Sequence, residues 1–273
     1  MLEIWGRVFG YGGNLSLQLV IILLVMARLI GILMLVPFMG GKAVPTQVKV
    51  ATAGALALII VPVIQGTLTV NLPDLGPGLA LYMMKEVFVG VTIGYVAALT
   101  FNAFEAAGQF LDTARGATMA TLFIPQLEES GPLFAALKVQ LAIVLFLIFG
   151  GHRIFLRAVF GSFILLPVDK FPSLGGNSMA FVDLIIRSSA NVLLIGMQIV
   201  IPALIAIFLV DVVLGVANRA APQLNVFFLG MPIKAYLGIV FVLLSLNYIV
   251  GIMGKQFALM LRDVNVVIQM MKG

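Results

Sequence analysis

Seven charged residues sit inside long apolar runs: Arg28, Lys85, Glu86, Lys138, Arg157, Arg187 and Asp211. Each costs at least about 2.5–3.5 kcal/mol at a lipid-facing helix centre. They must therefore meet partners, water or a polar lumen. One chemistry that fits is a small-solute path lined by Arg28, Glu86 and Asp211, as in a secondary transporter. Another is a subunit packed inside a larger assembly. Enzymatic chemistry finds little support. An intramembrane aspartyl site needs two acids from facing helices, and Asp183 and Asp211 share one apolar run. The single histidine, His152, lies in a Gly150–Arg153 turn, and cysteine is absent, so no metal site is expected. No phosphate loop, nucleophile elbow or zinc-protease motif is present, and no cofactor is implied.

The elements that position these charges follow from composition. Of 273 residues, 62% are hydrophobic and 10% charged, against roughly 45–50% and about 25% in soluble domains. Mean hydropathy is +1.18. Such a chain is neither disordered nor a water-soluble globule. The net charge of +5 comes from 16 basic and 11 acidic residues. These are scattered, which gives no basic stripe for nucleic acid. The expected fold is an all-α polytopic membrane protein, with about six to eight hydrophobic helical segments and one domain over residues 1–273.

The apolar runs are Leu15–Pro37, Gln47–Gly66, Leu79–Phe101, Leu133–Gly150, Ile154–Val168, Met179–Ala217 and Leu224–Met253. The first is too long for a signal-peptide core and reads as a retained span in a bacterial inner membrane. Others do not fit simple spans. Ile154–Val168 is short, and Met179–Ala217 is about 55–60 Å as one helix against a hydrocarbon core of about 30 Å. It either turns, with Pro202 the natural kink, or projects beyond the bilayer. Basic residues also distribute inconsistently across successive loops, so the helices are not expected all to cross simply.

Three stretches stand out. Glu86, Gly90 and Gly94 recur at helical spacing, and their face continues through Ala97, Ala98 and Phe101; small residues there allow close helix contact, within the chain or with another subunit. Gly108 and Asp112 lie one turn apart, Arg115 can reach Asp112, and Gly116 can end that helix. Small residues interleaved with Met119, Leu122 and Phe123, then Pro125, follow, as suits either a re-entrant connector or a loop that fills a narrow pore. In Asn218–Lys234, Pro222 and Pro232 are expected to break helix. Arg219, Gln223 and Asn225 are placed to satisfy freed backbone groups.

These residues resemble the FliR family of the flagellar type III export apparatus, together with its injectisome counterpart, the SctT family. The resemblance runs over essentially the whole length. It rests on Ala27-Arg28 with Pro37, Pro45 with Lys49, Glu86-x-x-x-Gly90-x-x-x-Gly94, Gly108-x-x-x-Asp112-x-x-x-Gly116 with Pro125, Gly151-His152, and Ser162 with Pro167. Its most specific part is Arg219-Ala-Ala-Pro222-Gln223-Leu-Asn225-Val-Phe227-Phe228-Leu-Gly-Met-Pro232-Ile-Lys234. It implies a non-enzymatic, all-helical subunit of an export gate at the flagellar or injectisome basal body of the inner membrane. FliP-like and FliQ-like subunits would complete a helical ring around a pore, with an FlhB-like subunit alongside. Unfolded exported proteins would pass through, and membrane lipid would surround it; nucleic acid has no part. The family's plug corresponds to about Phe110–Gln126, with Phe110, Asp112, Arg115, Gly116, Met119, Phe123 and Pro125 as gating residues. Arg28, Pro37, Glu86, Gly90, Gly94, Gly108 and the Arg219–Lys234 stretch are implied in helix or subunit packing. Phe227 to Pro232 looks flagellar and Asp112 to Thr118 looks closer to the injectisome branch; the balance leans to the flagellar one.

Overall fold

A computed structural model describes residues 15–41, 44–64, 77–116, 133–173, 178–223 and 225–272. Among the described residues the regular structure is helical: α1 (Leu15–Leu35), a 3-10 turn at Pro37–Met39, α2 (Thr46–Ile64), α3 (Pro77–Ala114), α4 (Leu133–Ile148), α5 (Gly151–Leu165), α6 (Ser178–Ala220), α7 (Val226–Leu244) and α8 (Leu246–Lys272). Four helices (α1, α2, α3 and α6) are long and apolar enough to cross a membrane, and up to six spans result if α4–α5 and α7–α8 each count as one. The chain is an all-α polytopic membrane protein.

Local chemistry sets the breaks. Val36 is extended (φ −80°, ψ 116°) because Pro37 follows it. Gly116 takes φ +79°, with its N–H on the Thr113 carbonyl at 3.0 Å, and so ends α3. Gly150 (φ +71°) separates α4 from α5. Asn225 caps α7, its side chain accepting from the Phe228 N–H. Two prolines lie inside helices: at Pro202 the long continuous helix is one of the two courses expected of that run, while Pro232 behaves otherwise than expected. Pro202 lies inside an unbroken 43-residue α6, about 65 Å long. Pro232 lies inside α7. Each removes one N–H from its helix, and the backbone on either side keeps its helical course. Helix α3 runs past Phe101 to Ala114, so the apolar run Leu79–Phe101 is only part of a longer helix. The Leu224–Met253 run is two helices bent by 61° at Ser245, the second extending to Lys272.

The contacts group into two compact units, and α3, α6 and α8 run from one into the other. In the first unit α1 lies against the first part of α3. A Cβ at Gly90 would collide with the Arg28 backbone, and one at Gly94 would sit 3.1 Å from Ile32 Cα. The small-residue face of α3 thus packs within the chain. Helix α2 adds buried Ala53, Ala57, Ile60, Val61 and Ile64, and α5 adds Phe155, Val159 and Phe163. Buried Val264, Val267, Ile268 and Met271 of α8 complete this core. In the second unit Phe101, Phe104, Phe146, Phe149 and Phe257 form one aromatic cluster, with centroid separations from 5.1 to 6.4 Å. A Cβ at Gly108 would strike the Ala135 backbone, and one at Gly196 would stand 3.2 Å from the Ala103 carbonyl. Helices α3, α4 and α6 therefore approach as closely as backbones allow.

These contacts make a comparative prediction. Gly90→Val should destabilise the purified chain by about 2–4 kcal/mol, since the backbone of α1 cannot give way as a side-chain tip does. Gly161→Ala and Gly251→Ala, where an added Cβ meets nothing within 4 Å, should be neutral or stabilising by about 0.5–1 kcal/mol. Thermal melts of the three variants in one detergent test the ranking.

Candidate functional site

Three of the seven charges in apolar runs form one cluster. Glu86, fully buried on α3, accepts from Arg28 Nε at 2.5 Å and Nη2 at 3.1 Å. Its Oε1 also pairs with Lys85 Nζ at 2.7 Å. Arg28 Nη1 donates to the Ser162 carbonyl at 3.0 Å and hydroxyl at 3.2 Å, and Nη2 to the Leu166 carbonyl at 2.8 Å. Lys85 Nζ donates to the carbonyls of Val168 at 2.8 Å and Lys170 at 2.9 Å. The five guanidinium and three ammonium donors are thus matched. The Arg28 guanidinium lies 4.3 Å over the Phe163 ring.

The carbonyls of Ser162 and Leu166 belong to the C-terminal end of α5; that of Ser162 also accepts from the Leu166 N–H at 2.8 Å, while carbonyls beyond the last turn have no intrahelical donor. A cation is also favoured there by the helix dipole. Arg28 therefore caps α5 while Glu86 neutralises it, and one carboxylate ties α1, α3 and α5 together. Adjacent positions on a helix point about 100° apart, so Lys85 and Glu86 are not paired by spacing alone. Lys85's flexible stem carries its ammonium back to the carboxylate. Sequence reasoning missed this pairing, because neighbouring positions diverge around the helix, and it missed the role of the carbonyls from Ser162 to Lys170, because no linear spacing connects them to Arg28 and Lys85.

A second constellation surrounds Asp112, buried near the end of α3. Its Oδ2 accepts from the N–H groups of Phe134 at 2.9 Å and Ala135 at 3.2 Å, capping the start of α4. Its Oδ1 pairs with Arg115 Nη2 at 2.8 Å, as the i,i+3 spacing predicts. The Arg115 guanidinium lies 4.1 Å over the Phe134 ring. Lys138, buried on α4, points its ammonium at the Ala107 carbonyl, 3.5 Å away. Asp112 thus joins the end of α3 to the start of α4, beside the backbone approach that Gly108 permits. Phe110 is half-buried on α3 and Gly116 follows the helix end. Met119, Phe123 and Pro125, like the rest of 117–132, lie outside the described residues.

The Arg219–Lys234 stretch does not converge on one site. Arg219, Pro222 and Gln223 are exposed at and beyond the end of α6, and Phe228 is exposed on α7; the side chain of Phe227 lies outside the described residues. Asn225 acts as an acceptor at its cap rather than as a donor. Lys234 pairs with Asp211 across α7 and α6. Asp211, another charge from the apolar runs, thereby finds a partner. Pro37 is half-buried at the start of its 3-10 turn. Among the described residues, no cluster of His, Cys, Asp and Glu is arranged to hold a metal ion.

Comparison with known proteins agrees with this architecture. The family model for bacterial export proteins, family 1, matches residues 19–260. The flagellar biosynthetic protein FliR of Bacillus subtilis is 28% identical over 238 residues, 87% of this chain and 90% of its own. The secretion system apparatus protein SsaT of Salmonella typhimurium is 36% identical over 163 residues, 60% of this chain and 62% of its own. The Yop proteins translocation protein T of Yersinia pestis is 39% identical over 158 residues, 58% of this chain and 59% of its own. The match thus spans about three-fifths of these last two relatives, with higher identity than over the longer flagellar match. By the extent of the family match and the helical membrane architecture beneath it, this chain belongs to the bacterial export proteins, family 1.

Proposed function

We propose that the chain is a non-enzymatic subunit of a type III protein export gate. The observation that carries this reading is the family match over residues 19–260, joined by relatives named for flagellar biosynthesis and for secretion. The whole chain acts as one gate subunit in the bacterial inner membrane, at the base of a flagellum or injectisome. Its partners are FliP-like and FliQ-like subunits, with an FlhB-like subunit alongside, and together they form the pore through which unfolded substrates pass. A secondary transporter is not favoured. Arg28 and Glu86 are buried with matched hydrogen bonds, which leaves neither to bind a moving solute.

In this reading the segment after Gly116 supplies the seal. Asp112, Arg115 and Gly116 fix its base, and Met119, Phe123 and Pro125 fill the pore. The packing residues Gly90, Gly94 and Gly108 support that base by holding α3 against its neighbours. Arg219 to Phe228 offers an exposed turn for contact with another subunit.

The test of the subunit reading is a gentle-detergent pull-down of the tagged chain from its native cells, with native mass measurement. Recovery with several copies of other small polytopic proteins is expected. Recovery as a lone monomer or homo-oligomer, under conditions that preserve other complexes, overturns it. Shortening the Arg115–Phe123 segment should raise ion leak through the assembled gate; unchanged conductance would count against the sealing role.

A further inference from the structure

A cavity of about 300 Å³ with a mixed polar and apolar lining opens between α6, α7 and the end of α3, Leu214 and Met231 supplying apolar wall. Two cations line it, Arg115 and Lys234, with Asp211 and Asn218 beside them and Gly215 and Gly230 in its wall. Lys234 is held by Asp211, and an ammonium has three donors, so the ion pair leaves donors over. The Arg115 side chain is about nine-tenths buried. Asp112 takes one of its nitrogens, while Nε has no hydrogen-bond partner among the described residues. The lining itself carries one positive charge more than negative, and Asp112, paired with Arg115 from outside the lining, balances it.

Strongly apolar, exposed faces stand beside this cavity. On α6, Phe208, Val212 and Val216 are exposed at i,i+4 spacing, next to the cavity-lining positions of the same helix. On α7, Leu229, Ile233 and Tyr236 are exposed at i,i+4 and i,i+3 spacing. Basic pockets between membrane helices suit phosphate headgroups, and acyl chains suit the apolar rows. A small soluble anion would use the first feature and leave the second unexplained. We propose that this cavity binds the phosphodiester headgroup of a membrane phospholipid, with its acyl chains on the exposed rows of α6 and α7. Arg115 and Lys234 bind the phosphate oxygens, Asn218 adds an amide donor, and Asp211 holds Lys234 in position. This goes beyond the export reading and is tested without it.

The experiment is native mass spectrometry of the full chain, alone or with whatever subunits co-purify, after delipidation. Dioleoyl phosphatidylglycerol, dioleoylglycerol and inorganic phosphate are added in separate arms. One tightly retained phosphatidylglycerol is expected, with the diacylglycerol, which has the same chains and no phosphate, bound about tenfold more weakly. Lys234→Gln should weaken that retention by about tenfold. Gly215→Leu should do likewise by filling the cavity; an added Cβ there meets nothing within 4 Å, so this variant keeps the test valid if Lys234→Gln fails to fold. Equal retention of the two lipids, or retention unchanged in Gly215→Leu, overturns the proposal. Binding of inorganic phosphate without retention of lipid assigns the site to a free anion and overturns it too. So does exclusion of lipid by a co-purified subunit, which assigns the cavity to a protein contact.

Discussion

Glu86→Gln should cost the chain most of its stability, on the order of 3–5 kcal/mol. The substitution keeps the shape of the side chain and removes the carboxylate that pairs with both Arg28 and Lys85, which are buried. The two cations then lose the acid they share, and the buried Asp169 is the negative charge left acting on Lys85. Hydrogen bonds to the Ser162, Leu166, Val168 and Lys170 carbonyls remain, but carbonyl dipoles do not replace a carboxylate at 2.5 Å. The purified chain should melt at least roughly ten degrees lower than the parent. Lys85→Met alone should be milder, because Arg28 keeps its partner. The double variant Lys85→Met/Glu86→Gln should be less damaged than the sum of the two, since removing one cation relieves the repulsion that the other substitution creates. A Glu86→Gln protein that melts with the parent would show that the cluster is not what joins α1, α3 and α5.

How far this arrangement is legible in sequence depends on the range of the interaction. Local contacts are legible. The Asp112–Arg115 pair, the helix stop at Gly116 and the Glu86–Gly90–Gly94 face follow from helical spacing, and each is formed. Membrane character follows from composition, because an apolar fraction of 62% leaves few alternatives. Long-range polar contacts are not legible. Nothing in the spacing of Arg28, Glu86 and Ser162 says that Arg28 caps α5, since the partners are backbone carbonyls that every residue carries. Asp112 capping α4 is hidden for the same reason. Pro232 misleads in the other direction. A single missing N–H is a local loss, and long apolar helices such as α6 and α7 keep the rest of their hydrogen-bond ladder around it. Sequence therefore identifies which charges need an explanation, while the fold supplies the explanation through main-chain groups.

The second large effect is expected at Asp112, and it separates a cap from a charge. Asp112→Ala removes the acceptor for the Phe134 and Ala135 N–H groups and the partner of Arg115. Two donors at a buried helix start and one nearly buried guanidinium are left without it. Caps are worth about 0.5–2 kcal/mol, and a charged hydrogen bond about 1.5–3 kcal/mol, so a loss of roughly 2–4 kcal/mol is expected. Asp112→Asn keeps an acceptor oxygen for the two N–H groups and loses only the charge facing Arg115, so it should retain about half of that stability or more. The two variants also act differently on an assembled gate. If Asp112 holds the ends of α3 and α4 together beneath the sealing segment, Asp112→Ala should raise ion leak while Asp112→Asn leaves it near the parent level. Both are measured as conductance in the same membranes, with equal amounts of assembled complex. Equal leak from the two would place the effect in the Arg115 charge pair. Parent-level leak from both, with stability lowered in Asp112→Ala, would confine Asp112 to folding and remove it from the seal.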